Sequence, residues 1–216
     1  MRLRKVNEVN ELKKQFNVVK GVHTSNLEGI HEEYSIVEHK KFYQININVS
    51  AENIDNVFRD LCTKVRTPGF LLLEHGTNAK IEEQIRKSDT DPFHKDVFYL
   101  DGLDIKYFLA LYNQYKDLLV NDGEINYGFG SHIGTDEVYV GPYKIFTIFT
   151  NEIDKYIDIL SKYNIPKVDK LKTVCNNFSE ESPGSRITIK INGIDIYEMV
   201  EQLSKEGLYL GERRED

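Results

Sequence analysis

Residues 125–150 alternate between apolar and polar side chains, and this alternation indicates that the chain forms a β-sheet. The alternation covers two stretches, residues 125–131 and residues 137–150, which we expect to be strands. Gly141 and Pro142 interrupt the second stretch. Because proline has no N–H to donate to a neighbouring strand, this point is expected to be an edge, a bulge or a turn.

Outside this segment, strand and helix patterns follow one another irregularly. Alternating or continuous apolar residues predict further strands at residues 42–49, 70–73, 97–100 and 187–191. Helical spacing of apolar residues predicts helices at residues 6–16, 51–65, 78–85, 104–121, 151–163, 169–178 and 195–203. The predicted N-capping residues are Ser50, Asn78, Asp104, Asn151 and Asp195. Residues 18–35 are predicted to be a loop, and the charged tail 211–216 is predicted to be frayed.

The irregular order of these elements predicts an α+β fold with a mainly antiparallel or mixed sheet covered by helices. A doubly wound α/β fold would show a regular succession of strand and helix, which this chain lacks. A small α/β domain at residues 42–100, with the rest packed on it, is the alternative. We expect one domain over residues 1–216, since only the polar stretch 88–95 resembles a boundary.

The charge balance restricts the class of partner. The chain has 28 basic and 35 acidic residues and a formal net charge of −7. A surface of that sign repels phosphate backbones, so we expect no nucleic-acid partner. It favours a basic protein partner instead, although a moderate net charge also simply keeps proteins dispersed.

Several other classes of protein have no support in the sequence. Cys62 and Cys175 are far apart and are predicted to be buried thiols, so neither a zinc ribbon nor thioredoxin-like redox chemistry is expected. No run of 18 apolar residues occurs, and no apolar signal region follows the charged residues after Met1. We therefore expect a cytoplasmic protein without a membrane segment.

One region could support catalysis or ligand binding. Glu74 and His75 follow a continuous apolar run, and side chains at the end of a buried strand often contact ligands. His94 lies between Asp91 and Asp96, which could orient its imidazole. No nucleophile at a recognisable spacing accompanies them, and the glycines from Gly128 onwards lack the lysine of a phosphate-binding loop. A small enzyme or ligand-binding protein with a pocket at Glu74, His75 and His94, joined to His132 by a deep cleft, is the alternative function. No cofactor is expected.

A metal site is not predicted either, although one region contains possible ligands. His23, His31 and His39 recur every eight residues, and Glu32 and Glu33 follow the second of them. Eight residues is not a ligand spacing of known zinc motifs, so exposed loop histidines are the simpler interpretation. Whether a metal binds there stays open at this point.

The glycine-rich segment of residues 127–144 is the predicted contact surface for a partner. Tyrosine offers a large, stiff contact area with a polar tip, and adjacent carboxylates suit a cationic partner. The predicted partner-binding residues are Tyr127, His132, Asp136, Glu137, Tyr139 and Tyr143. The competing interpretation is that these tyrosines pack at the margins of the sheet.

The chain resembles the immunity proteins of bacterial polymorphic toxin systems. The resemblance is one of general character and is carried by residues 128–132, residues 136–144 and residues 189–200, with sequences GFGSH, DEVYVGPYK and IKINGIDIYEMV. It implies binding and occlusion of a toxin domain, often a basic nuclease, with acidic side chains in place of the substrate phosphates. A third possibility is a homo-oligomer formed by edge pairing of residues 144–150. The oligomeric state is not predicted.

Overall fold

The computed structural model describes residues 15–216. Its strands are β1 (Val22–His23), β2 (Tyr34–Glu38), β3 (Tyr43–Ile47), β4 (Gly69–Gly76), β5 (His94–Leu103), β6 (Asn126–Ser131), β7 (Glu137–Val140), β8 (Phe146–Thr150), β9 (Ser185–Arg186) and β10 (Tyr209–Glu215). Its helices are α1 (Ile54–Cys62), α2 (Ala79–Ile85), α3 (Ile105–Asn121), α4 (Asp154–Lys162) and α5 (Ile196–Ser204).

Eight of these strands form one antiparallel sheet in the order β10-β5-β4-β6-β7-β8-β3-β2. The strands β1 and β9 form a separate antiparallel pair. The α+β prediction is therefore confirmed. Strands from both sides of residues 88–95 are neighbours in the main sheet, since β4 pairs with β5 from Gly69 to Gly76.

The helices α1, α3, α4 and α5 bury their apolar side chains against one face of this sheet. Phe58 of α1 is fully buried, and its ring lies 4.9 Å from that of Tyr127 on β6. Phe108 of α3 stacks on Phe129 of the same strand, with 3.9 Å between the ring centroids. Burial of this extensive apolar surface is the main force that holds the helices on the sheet.

Three of the five predicted N-caps are confirmed. Side-chain oxygens of Asn78, Asp104 and Asp195 accept hydrogen bonds from backbone N–H groups in the first turns of α2, α3 and α5. Asp195 also forms a capping box with Glu198.

The other two predicted caps are wrong, because both helices begin further along the chain. The N-cap of α1 is Asn53, and the Oγ of Ser50 instead accepts a hydrogen bond from the N–H of Asn17. The N-cap of α4 is Ile153 rather than Asn151. The predicted helix at residues 6–16 lies almost wholly outside the described residues.

The second half of the chain departs from prediction in three places. The predicted helix 169–178 is only a short 3-10 turn, Val174–Asn177. The predicted strand 187–191 is not a strand, although a single bridge joins Ile191 to Ile194. The tail is not frayed, because β10 pairs with β5. Arg213 of β10 also donates two hydrogen bonds to the buried carboxylate of Asp96.

Two further predictions need correction. Cys62 is buried as expected, but Cys175 is exposed because it lies in the 3-10 turn rather than in a packed helix. Residues 144–150 do not form an edge, since β8 pairs with both β7 and β3. The edges of the main sheet are β2 and β10, so edge pairing through β8 is excluded.

Candidate functional site

The opposite face of the sheet carries the candidate site. Successive side chains of a strand point to opposite faces, so Leu73 and His75 face the helices while Leu72 and Glu74 face away. The strand register extends this second set across the sheet to Tyr99 on β5, Tyr139 on β7 and Phe149 on β8. We call it the uncovered face, because the helix contacts described above all lie on the other side.

A shallow depression of about 480 Å³ lies in the middle of the uncovered face. Strands β3, β4, β5, β7, β8 and β10 all contribute to its wall. The central lining residues are Leu72, Tyr99, Glu137, Tyr139, Thr147 and Phe149. The rest of the wall is Gln44, Glu74, Val97, Glu212 and Arg214. The depression thus combines aromatic rings with several charged and polar side chains, which is a composition suited to a charged partner.

Glycines allow aromatic rings to lie against the backbone of this face. A Cβ atom on Gly130 would lie 2.3 Å from the ring of Phe70, and one on Gly211 would lie 2.5 Å from the ring of Tyr99. Any side chain at either glycine would therefore displace a ring. The rings of Phe70 and Tyr99 also contact each other, with 5.8 Å between their centroids.

Two carboxylates of the uncovered face are bonded to other side chains. Glu74 accepts hydrogen bonds from Arg214 and Asn126. Asp101 accepts a hydrogen bond from the hydroxyl of Tyr209 and lies 3.0 Å from the Nε2 of His132. These groups are thus engaged within the protein, and their charges are partly balanced.

Glu137 is different, because its carboxylate has no hydrogen-bonding or ion-pairing partner among residues 15–216. It begins β7, directly between Gly130 on one side and Phe149 on the other. Burial raises the pKa of Glu137 above its usual value, and no cation lowers it. Burial also raises the pKa of Tyr99 and of Tyr139, and the negative charge of Glu137 adds to both shifts.

The structure brings together three of the six predicted partner-binding residues. Glu137 and Tyr139 line the depression, and His132 lies beside it with its ring 5.1 Å from that of Phe70. Tyr143 is half-buried against Phe178 in the connection between β7 and β8.

The other two predicted contact residues have almost no exposed surface. Tyr127 belongs to the helix-packed face, where it contacts Phe58. Asp136 is buried, and it accepts hydrogen bonds from Thr150 and Lys155. Neither side chain can contact a partner in this structure, so the candidate site does not include them.

Glu74, His75 and His94 do not form a common pocket. Glu74 points to the uncovered face, whereas His75 is buried on the helix-packed face between Phe98 and Tyr197. Burial lowers the pKa of His75, so its imidazole is neutral at pH 7. His94 lies 3.1 Å from a carboxylate oxygen of Glu82 on α2. The sheet therefore separates the acid from the histidines, and no cleft joins all three to His132.

Sequence reasoning missed the residues that other strands contribute to the depression. Leu72, Tyr99 and Phe149 lie far apart in the chain, and only the strand register brings them together. The alternation within each strand was a usable signal. The neighbouring residues in the same strand face the helices, so these side chains must point to the opposite face.

Two other cavities are less suited to binding a partner. One of about 540 Å³ lies beside α2, and two of its charged side chains are engaged: Glu82 contacts His94, and Arg86 bonds to backbone carbonyls and stacks on Phe93. Another of about 560 Å³ is bounded by Gln15, the first residue that the structure describes. The extent of that cavity therefore depends on residues outside the described part of the chain.

No metal centre or membrane span is found in the described part of the chain. Within residues 15–216, no three His, Cys, Asp or Glu side chains are grouped closely enough to hold a metal ion. His23, His31 and His39 do not form such a group. No helix in that range has both the length and the apolar composition needed to cross a bilayer.

Comparison of the chain with protein-family models, with curated proteins and with solved structures finds no match.

Proposed function

We propose that this chain is a binding protein that holds a polypeptide partner on the uncovered face of its sheet. The observation that carries the proposal is the depression around Glu137, where an unpaired carboxylate lies among aromatic rings. A carboxylate that is partly removed from water is stabilised by a cationic partner. Aromatic side chains supply the area and stiffness typical of residues that dominate binding energy.

The partner that suits this face has a basic contact surface. The formal net charge of −7 would steer such a partner to the protein at a rate that falls with ionic strength. We propose further that the chain acts in the bacterial cytoplasm as an immunity protein, and that the partner is a toxin domain whose active site it occludes. The support for this finer step is the overall acidity and the resemblance described above.

A matched pair of variants tests the proposal. Thr147→Arg places a long cationic side chain in the depression, and Thr63→Arg places the same side chain at the exposed end of α1. Tagged full-length protein of each type is used to capture partners from the native host. We expect a basic protein to be captured by wild type and by Thr63→Arg, and to be lost with Thr147→Arg. Both variants should melt within a few degrees of wild type.

A growth assay then tests neutralisation. The captured protein, expressed alone, should arrest growth, and co-expression of this chain should relieve the arrest unless it carries Thr147→Arg. Equal capture by both variants would show that another surface binds the partner. If the captured protein is not toxic, the proposed binding function stands and the proposed immunity role is wrong.

A small organic cation is the second candidate occupant, and it corresponds to the ligand-binding alternative. The volume of the depression, about 480 Å³, is that of a small-molecule site. Recovery of a small molecule from purified wild type, but not from Thr147→Arg, would favour this candidate.

A further inference from the structure

We propose that the depression recognises a guanidinium group, supplied by an arginine side chain of the partner. This inference rests on the proposed function, and it names the chemistry at the centre of the interface. It follows from the unpaired carboxylate of Glu137, from the rings around it and from the engagement of the neighbouring basic side chains with other carboxylates.

Within residues 15–216, no cation pairs with Glu137, and burial is the only cause of its raised pKa. The neighbouring base, Arg214, is directed to Glu74 and Glu212 on the same face. Lys95 contacts Glu74 and Asp216. The cations nearest the depression are therefore already engaged with other carboxylates, and neither of them pairs with Glu137.

The rings near Glu137 favour a flat cation. Phe70 lies across the backbone of Gly130, the residue that pairs directly with Glu137. Phe149 pairs with Glu137 on the opposite side. A guanidinium group is planar, stacks on aromatic faces and can donate two parallel hydrogen bonds to one carboxylate. It can thus contact Glu137 and a ring at the same time.

Other cations suit the depression less well. An ammonium group is compact and strongly hydrated, so it gains less from rings and cannot form the bidentate pair. A divalent metal ion requires several oxygen ligands, whereas the described residues contain no group of three possible ligands. Thr147 on β8, which pairs with Tyr139, adds only a hydroxyl.

The test uses two small probes, N-acetyl-arginine methylamide and its lysine counterpart, in NMR titrations of the full chain. We expect the arginine probe to shift the amide signals of Glu137, Tyr139 and Phe149 in a saturable manner. Its affinity should exceed that of the lysine probe severalfold. Glu137→Gln keeps the size of the side chain and removes its charge, so it should weaken arginine binding by about tenfold or more. Glu201→Gln on the exposed surface of α5 is the matched control and should bind as wild type does.

Three results would overturn the inference: no saturable shifts at these amides, equal affinity for both probes, or unchanged affinity in Glu137→Gln. Its failure is distinguishable from failure of the proposed function. If Thr147→Arg loses the protein partner while Glu137→Gln keeps it, the face binds a partner but not through an arginine at Glu137. If Glu137→Gln loses the arginine probe while both variants keep the partner, the guanidinium site stands and the proposed docking face is wrong.

Discussion

The two faces of the eight-stranded sheet have similar aromatic content but very different surroundings. On the helix-packed face, Phe58, Tyr127 and Phe129 have no exposed surface and contact one another or neighbouring rings. On the uncovered face, the rings of Tyr99 and Phe149 are only half-buried. The comparison teaches that aromatic composition alone does not identify a binding surface. What distinguishes the second face is aromatic area that no helix covers.

The largest expected difference comes from removing one phenylalanine on each face. Phe58→Ala should lower the free energy of unfolding by about 3–5 kcal/mol, because it leaves a cavity among packed rings. Phe149→Ala should lower it by about 1 kcal/mol or less, since its ring already contacts water. Urea unfolding of the two variants measures both values. Equal losses would mean that the two faces contribute alike to stability.

A smaller effect concerns the buried cation on the helix side, Lys144. Its Nζ donates to the carbonyl oxygens of Leu119 and Ile125, and burial lowers its pKa to about 7. The unfolded chain therefore binds more protons than the folded one between pH 7 and the ordinary lysine pKa, so stability rises with pH there.

Relative to Lys144→Met, wild type should gain about 2 kcal/mol of unfolding free energy between pH 7 and pH 9. Comparing the difference between the two proteins cancels the titration of their shared tyrosines. Parallel pH profiles for the two proteins would show that Lys144 keeps an ordinary pKa.

The smallest expected effect on stability comes from Glu137 on the uncovered face. Burial raises the pKa of Glu137, so the stability associated with its neutral form is present at low pH and is lost as pH rises through the folded pKa. Glu137→Gln should therefore stabilise the protein slightly at pH 7 and have little effect at pH 4. Thermal melts at the two pH values measure this. A destabilised variant at pH 7 would indicate that Glu137 has a stabilising partner.

The sequence predicts the elements with strong periodicity and fails where stability comes from distant partners. The tail carries charged residues in place of an alternating apolar pattern, so nothing local indicates β10. That strand forms because Arg213 meets the buried carboxylate of Asp96, far away in the chain. Burial raises the pKa of Asp96, but the hydrogen bonds from Arg213 and Thr77 outweigh this and leave its pKa lowered. The predicted helix 169–178 is wrong for a local reason. The side chains of Thr173 and Asn176 form a capping box that closes only the short turn Val174–Asn177.

The candidate site is predictable in part. Alternation places Val138 and Val140 in the core and hence Glu137 and Tyr139 on the opposite face, which excludes Asp136 from the same surface. The same logic assigns Tyr127 and Phe129 to the core and Gly128 and Gly130 to the uncovered face. The contributions of Leu72, Tyr99 and Phe149 depend on the order of the strands, which no local pattern determines.

The order of the strands also has a consequence for the rate of folding. Strands β6, β7 and β8 are joined by short connections, so this meander can form early. The flanking partners, β4 and β3, come from much earlier in the chain, and their pairing requires the closure of long loops. Folding times on the order of milliseconds to seconds are typical of such non-local sheets. Until those loops close, the meander has two unpaired strand edges, and the newly made chain is at its most vulnerable to aggregation.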